Sequence, residues 1–151
     1  MDVKIANLAI VLTIALFLPS ARAFRCYACT TTNDRNSECA VLNNLQTTLC
    51  TVRAYEKLAK VPFPIEIKKI FEAVPQDSYP VTEWSCGKLE LADTNTGYGP
   101  TTNYTIRTCL PKFNGPDFCD RTRDILEANP TYQPYQVSHC SECQKDSCNG
   151  I

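Results

Sequence analysis

Apolar and polar residues alternate most clearly in two stretches in the middle of the chain, "KLEL" and "NYTIRT". In the second stretch Tyr104 and Ile106 fall on one face of an extended strand, and Asn103, Thr105 and Arg107 fall on the other. This period of two predicts β-strands. The segment that joins them, "ADTNTGYGPT", contains glycines and a proline that favour chain reversal. We therefore predict a β-hairpin with Asn103 on its polar face.

A helical period occurs earlier, in "PFPIEIKKIFEAVP". Its apolar residues recur at the i, i+3, i+4 and i+7 spacing of one helix face: Ile67, Ile70, Phe71 and Val74. Prolines at both ends suit a first helical turn and a stop, so we predict a helix near 64–74. Such a short helix is not stable alone. Its apolar stripe therefore packs on the hairpin sheet, in the groove of a partner, or on a membrane surface, and the first is the usual arrangement.

The remaining segments give weaker patterns. The polar stretch "TTTNDRNSE" predicts an irregular turn, because Asn, Asp and Ser bond to nearby backbone groups. The stretch "RTRDILEA" fits either a strand or a helical turn, and "YQVSH" fits a short alternating strand after the prolines at 130 and 134.

The N-terminus has the three regions of a secretory signal: Lys4, the apolar run "LAIVLTIALFL", and the small residues of "ARA". We predict cleavage after Ala23, with residues 1–23 as the signal peptide and a secreted, extracellular product. The C-terminus, "CNGI", has no apolar tail of the roughly 10–20 residues that a glycolipid anchor signal needs. We therefore expect release from the cell rather than anchoring.

Charge and cysteine content narrow the class of protein. The whole chain has 15 basic and 16 acidic residues; removing residues 1–23, with Asp2, Lys4 and Arg22, leaves 13 and 15, a net charge of −2. That balance argues against nucleic-acid binding. All ten cysteines lie in residues 24–151, and an even number behind a signal peptide predicts a disulfide framework of five bridges. Spacing alone cannot choose among the about 945 possible pairings.

Candidate catalytic and metal-binding groups are few. His139 is the one histidine, and no second group in the sequence converges with it, so we expect a surface residue at a strand end. The spacings Cys26–Cys29 and Cys140–Cys143 would suit zinc in a reducing compartment, but export favours disulfides. We expect no enzymatic activity, cofactor, metal or small-molecule substrate. A hydrolase remains the enzymatic alternative, and it would depend on His139.

After the predicted cleavage site the chain begins "FRCYACTT", and it ends "CQKDSCN". A start of the form Cys-Tyr-x-Cys and a final Cys-x-x-x-x-Cys-Asn resemble the Ly-six/urokinase-receptor family of three-finger domains, the LU domains. The resemblance spans 24–151. It implies that Asn149 bonds into a knot of disulfides from which three β-hairpins project, and it implies five pairs: Cys26–Cys86, Cys29–Cys39, Cys50–Cys109, Cys119–Cys140 and Cys143–Cys148.

Two features depart from the family pattern. Ser141 and Glu142 separate the eighth and ninth cysteines, which are adjacent in many members, and this spacing looks like that of invertebrate members. The interval between the fourth and fifth cysteines, normally short, holds residues 51–85. We therefore expect a small, disulfide-rich, mainly β, three-finger (snake-toxin-like) fold in a single domain, with a helical insertion between the first and second fingers.

The resemblance implies recognition rather than catalysis, because LU proteins bind receptors, ion channels, adhesion partners or secreted proteins through their fingers. We expect an extracellular or membrane protein partner, contacted by Tyr98 at the tip of finger two with Thr96 and Pro100 beside it. Tyr132 and Tyr135 are secondary candidates. A structural or trafficking role for cell-junction or membrane proteins is the alternative. The sequon Asn103-Tyr104-Thr105 predicts an N-linked glycan at Asn103.

Overall fold

The computed structural model describes residues 23–34, 37–72, 83–94, 101–112, 115–132 and 134–150. In these ranges the chain forms six strands and four α-helices, together with the 3-10 helices Pro130–Tyr132 and Cys148–Gly150. The elements in chain order are β1 (Arg25–Tyr27), β2 (Cys29–Thr32), α1 (Glu38–Val41), β3 (Thr47–Leu49), α2 (Val52–Ala59), α3 (Ile65–Glu72), β4 (Trp84–Asp93), β5 (Thr102–Pro111), α4 (Phe118–Ala128) and β6 (Tyr135–Cys143).

The strands form two antiparallel sheets, as expected for a small, disulfide-rich, mainly β chain. β1 pairs with β3, and the larger sheet has the order β2-β5-β4-β6. β4 and β5 pair along their whole length, from Trp84 opposite Pro111 to Asp93 opposite Thr102. The strands of the predicted hairpin are therefore confirmed, and both extend beyond the alternating stretches that predicted them.

Helices cover one face of the larger sheet, and the other face is open except around Arg107, where α1 and the C-terminal residues lie over it. The register places Leu89 opposite Ile106 and Leu91 opposite Tyr104, and all four side chains are buried on the helix-covered face. Phe63, between α2 and α3, and residues of the helices α2, α3 and α4 complete this core: Tyr55, Leu58, Ile67, Ile70, Phe71, Phe118 and Leu126.

Helix α3 lies within the predicted helix 64–74, and Pro64 directly precedes it. Ile67 and Ile70 are each 1% exposed and Phe71 is 3% exposed, so the apolar stripe packs into the core that the helices share with the sheet. Val74 lies outside the described residues. Ile65, at the start of the helix, is 62% exposed because it lies off this stripe.

Helix α2 was not predicted from the sequence. The Thr51 hydroxyl caps it by accepting a hydrogen bond from the Ala54 amide at 3.1 Å. Leu58 packs into the core, and the Tyr55 hydroxyl donates a hydrogen bond to the Phe71 carbonyl. The capping threonine and the i, i+3 apolar pair are the signals that could have predicted this helix.

The segment that fitted either a strand or a helical turn lies in helix α4. Its N-cap is Asp117, whose carboxylate accepts a hydrogen bond from the Asp120 amide at 2.8 Å. The alternating stretch before Cys140 lies in β6, which is longer than predicted. The β4–β6 register shifts between Glu90 and Leu91, and the Ser138 hydroxyl bonds to the Glu90 carbonyl at this irregularity.

Candidate functional site

Five disulfides cross-link the chain, and they are the pairs that the resemblance implied: Cys26–Cys86, Cys29–Cys39, Cys50–Cys109, Cys119–Cys140 and Cys143–Cys148. The first and third form a buried cluster, in which the sulfurs of Cys26 and Cys50 are 3.3 Å apart. Cys143 and Cys148 pack against this cluster. We call the six cysteines of these three bridges the disulfide knot. It joins β1 and β3 to the β4–β5 pair.

Asn149 closes the knot from the C-terminal side, and it is completely buried. Its side-chain oxygen accepts a hydrogen bond from the Tyr27 amide at 3.1 Å. Its side-chain nitrogen donates to the Tyr27 carbonyl at 2.9 Å and to the Gly87 carbonyl at 3.1 Å. One amide group thus connects β1 with β4. Asparagine suits this position because its amide can donate and accept at the same time.

Arg107 lies on the same sheet face as Asn103 and Thr105, as the alternation predicted, but it is only 3% exposed. Its guanidinium donates to the carbonyls of Cys39 (2.9 Å), Ala40 (3.4 Å) and Asn149. Desolvation by burial lowers the pKa of this guanidinium. The expected polar surface is therefore covered at this end, where α1 and the C-terminal residues pack over the sheet.

Glu142, in the two-residue spacer between Cys140 and Cys143, has a structural role that sequence reasoning missed. One carboxylate oxygen accepts a hydrogen bond from the Ser85 hydroxyl at 2.5 Å, and the other accepts from the Phe118 amide at 2.7 Å. Phe118 is the first residue of α4, so the carboxylate satisfies an amide that the helix itself leaves unbonded. The wider cysteine spacing thus supplies a residue that joins β4, β6 and α4.

The loop within the Cys143–Cys148 bridge lies against the first strand. The Asp146 carboxylate accepts from the Arg25 amide at 3.0 Å, and the Ser147 amide donates to the Arg25 carbonyl at 2.8 Å. Ser147 has a φ of 59°, in the left-handed region. The two ends of residues 24–150 are therefore held together at the knot.

The predicted partner-contact residues Thr96, Tyr98 and Pro100 lie outside the described residues. Of the two secondary candidates, Tyr132 is 5% exposed and its ring lies 5.7 Å from the Lys69 ammonium, so it has little surface to offer a partner. Tyr135 is partly buried, and desolvation, followed by the charge of Asp93, raises its pKa to about 12. A partner contact by Tyr132 is therefore disfavoured by its burial.

The polar residues on the open face of the sheet remain accessible. Asn103 is partly exposed in β5, and Glu90 lies opposite Thr105 on the neighbouring strand. His139 is exposed on β6, opposite Glu90 in the register. The Glu90 carboxylate pairs with the Lys88 ammonium at 3.1 Å.

The cysteine spacings that would suit zinc do not present thiolates. The sulfurs of Cys26, Cys50 and Cys109 lie within 4.8 Å of one another, but each belongs to a disulfide. Cys140 and Cys143 likewise pair with different partners. Zinc binding by cysteine requires the ionised thiol, so these groups are not metal ligands in this oxidised form. Among the described residues, no helix has both the length and the apolar character needed to cross a membrane.

The chain has no significant match among protein-family models, curated proteins or solved structures.

Proposed function

We propose that this chain is an exported, non-enzymatic three-finger protein of the LU type that binds a membrane receptor, an ion channel or an adhesion partner through its finger loops. In this proposal residues 51–85 are a helical insertion between the first two fingers. The observation that carries it is the disulfide knot sealed by Asn149, because it gathers the bases of the β-strands at one place. β4 and β5 then extend seven residues beyond the knot, over 87–93 and 102–108.

Such a scaffold is suited to recognition for an entropic reason. Each disulfide contributes about 2–4 kcal/mol, largely by restricting the unfolded chain. Loops that leave a cross-linked base lose less conformational freedom on binding than loops on a mobile base, so more of the contact energy remains as affinity. The tight knot and the paired β4–β5 strands support a role of this kind for the connection between these strands.

The contact residue that we favour is Tyr98, which belongs to the connection between the end of β4 at Asp93 and the start of β5 at Thr102. A tyrosine offers a large ring and one hydroxyl while losing only two rotatable bonds, which makes it a good interface anchor. Thr96 and Pro100 would complete the contact.

The test is binding of the secreted, labelled protein to living cells. We expect saturable binding that Tyr98→Ala greatly weakens while the melting temperature stays unchanged. Ile65→Ala is the matched control, since it removes an exposed apolar side chain from α3 rather than from the hairpin connection. Binding that survives Tyr98→Ala would refute the assigned contact. A purified protein that hydrolyses ester, peptide or lipid bonds and loses this activity on His139→Ala would refute the non-enzymatic function.

A further inference from the structure

The open face of the larger sheet contains a depression whose occupant can be inferred. The depression has a volume of about 360 Å³, within the range of about 300–1,000 Å³ for small-ligand sites. It extends across four strands, and its lining includes Thr31 of β2, Asn103, Tyr104 and Thr105 of β5, Glu90 and Leu91 of β4, and Ser138 of β6.

The lining combines hydroxyl, amide and carboxylate groups with apolar surface, to which Ala40, Leu91 and Tyr104 contribute. The other face of the same sheet differs, because Leu89 and Ile106 are each 1% exposed beneath the helices. A mixed polar and apolar lining suits a carbohydrate, whose hydroxyl and N-acetyl groups both donate and accept hydrogen bonds while its carbon atoms contact apolar groups.

The sequon asparagine lies in this same depression. Its backbone is held on both sides by Asn33, whose amide donates to the Asn103 carbonyl at 2.7 Å and whose side-chain oxygen accepts from the Asn103 amide at 2.6 Å. Asn33 reaches this position with a φ of 57°. A group attached to Asn103 would therefore start from a fixed point.

We propose that Asn103 carries an N-linked glycan whose innermost N-acetylglucosamine lies in this depression, against Thr31 and Glu90. In the attachment step, C1 of the sugar leaves the diphosphate oxygen of a lipid-linked oligosaccharide and bonds to the Asn103 side-chain nitrogen. That nitrogen gives up one proton, and the lipid diphosphate is released. The inference rests on the proposed export, because this sugar donor is met on the secretory route.

One consequence is that the different surfaces of the molecule have different roles. The helices cover one face of the sheet, and the sugar covers the depression on the other. Protein recognition is then left to the loops and strand ends, which agrees with the proposed contact at Tyr98.

The experiment compares three forms of the full chain secreted from animal cells restricted to high-mannose glycans. The first form carries the whole glycan, the second is trimmed by an endoglycosidase to one N-acetylglucosamine, and the third is Asn103→Gln. Intact mass reports occupancy, and carbodiimide labelling of carboxylates reports access to Glu90. Glu127, exposed on α4, is the internal reference.

We expect a glycan at Asn103 and loss of most Glu90 labelling in the first two forms. Labelling should return in Asn103→Gln, while Glu127 reacts equally in all forms. A secreted protein without sugar at Asn103, or equal Glu90 labelling in all three forms, would overturn the inference. Protection of Glu90 by the whole glycan but not by the single N-acetylglucosamine would also overturn it, because the outer sugars would then be the ones that cover Glu90. Cell binding and its dependence on Tyr98 are measured separately, so either proposal can fail while the other stands.

Discussion

Replacing Asn149 by alanine is the sharpest test of how the knot is held. The substitution removes three hydrogen bonds and leaves the Tyr27 amide, the Tyr27 carbonyl and the Gly87 carbonyl without their partner. A typical hydrogen bond contributes about 1 kcal/mol net, and a buried group left unpaired costs about 1–3 kcal/mol. Because Asn149 is completely buried, water does not replace these bonds easily. We expect the free energy of unfolding to fall by about 3–5 kcal/mol.

The change Asn149→Asp separates the effect of losing the donor amide from the effect of changing the side-chain shape. It keeps the size of the side chain but places an oxygen opposite the carbonyl oxygens of Tyr27 and Gly87. Burial and this repulsion raise the pKa of the introduced carboxyl above its ordinary value of about 3.9. The folded state then binds a proton more tightly than the unfolded state. Stability is therefore highest below the ordinary pKa and falls as the pH rises toward and through the raised pKa.

The assay is denaturant unfolding with all disulfides intact, combined with hydrogen exchange at the Tyr27 amide. Asn43→Ala is the matched control, because Asn43 is exposed in the turn after α1; such surface changes usually stay within about 0.5 kcal/mol. We expect faster exchange at Tyr27 in both Asn149 variants. A loss below about 1 kcal/mol in Asn149→Ala, with unchanged exchange at Tyr27, would refute the reasoning.

Three further predictions concern the core, the spacer and the tyrosine that titrates late. Ile70→Ala removes a side chain that is 1% exposed, and should lower the free energy of unfolding by about 2–5 kcal/mol in denaturant unfolding. Glu142→Ala should cost about 2–4 kcal/mol by the same measurement, because it removes two hydrogen bonds to a charged acceptor, and Glu142→Gln should cost less. Phenolate absorbance should show a tyrosine titrating near pH 12, and Tyr135→Phe should remove this component. Since folding raises the pKa of Tyr135 from 10.0 to about 12, its contribution to stability should be lost as the pH rises through that window.

Each of these has a result that would contradict it. Ile65→Ala, at a position that is 62% exposed, should cost less than about 0.5 kcal/mol; equal losses in Ile65→Ala and Ile70→Ala would show that α3 does not pack by its stripe. Equal free energies of unfolding for wild type and Glu142→Ala would show that the Glu142 carboxylate does not stabilise the fold. If every tyrosine titrates near its ordinary pKa, the burial assigned to Tyr135 is wrong.

The periodic patterns predicted the elements that face the core. Alternation placed Tyr104 and Ile106 on one face of a strand, and the i, i+3, i+4 spacing placed Ile67, Ile70 and Phe71 on one face of a helix, because these periods follow directly from strand and helix geometry. Helix α2 was not predicted because only Tyr55 and Leu58 mark its buried face, and two residues alone do not establish a helical period.

The polar contacts could not be predicted in the same way. Arg107 occupies a polar position in the alternation, yet the segment that covers it comes from residues far away in the chain, at Ala40 and Asn149. Glu142 likewise bonds to Ser85 and Phe118, which are distant in sequence. Such contacts depend on the tertiary arrangement and have no local signal. The role of Asn149 was predicted only from what a resemblance to a family implied, and not from a local pattern in the sequence.

Disulfide mapping by mass spectrometry, on non-reduced peptides of the purified protein, tests most directly that a cross-linked knot holds this molecule together. The account predicts all ten cysteines in five pairs, with Cys26 joined to Cys86, Cys50 to Cys109 and Cys143 to Cys148. Free thiols in the native material, or Cys143 joined to any other cysteine, would contradict it.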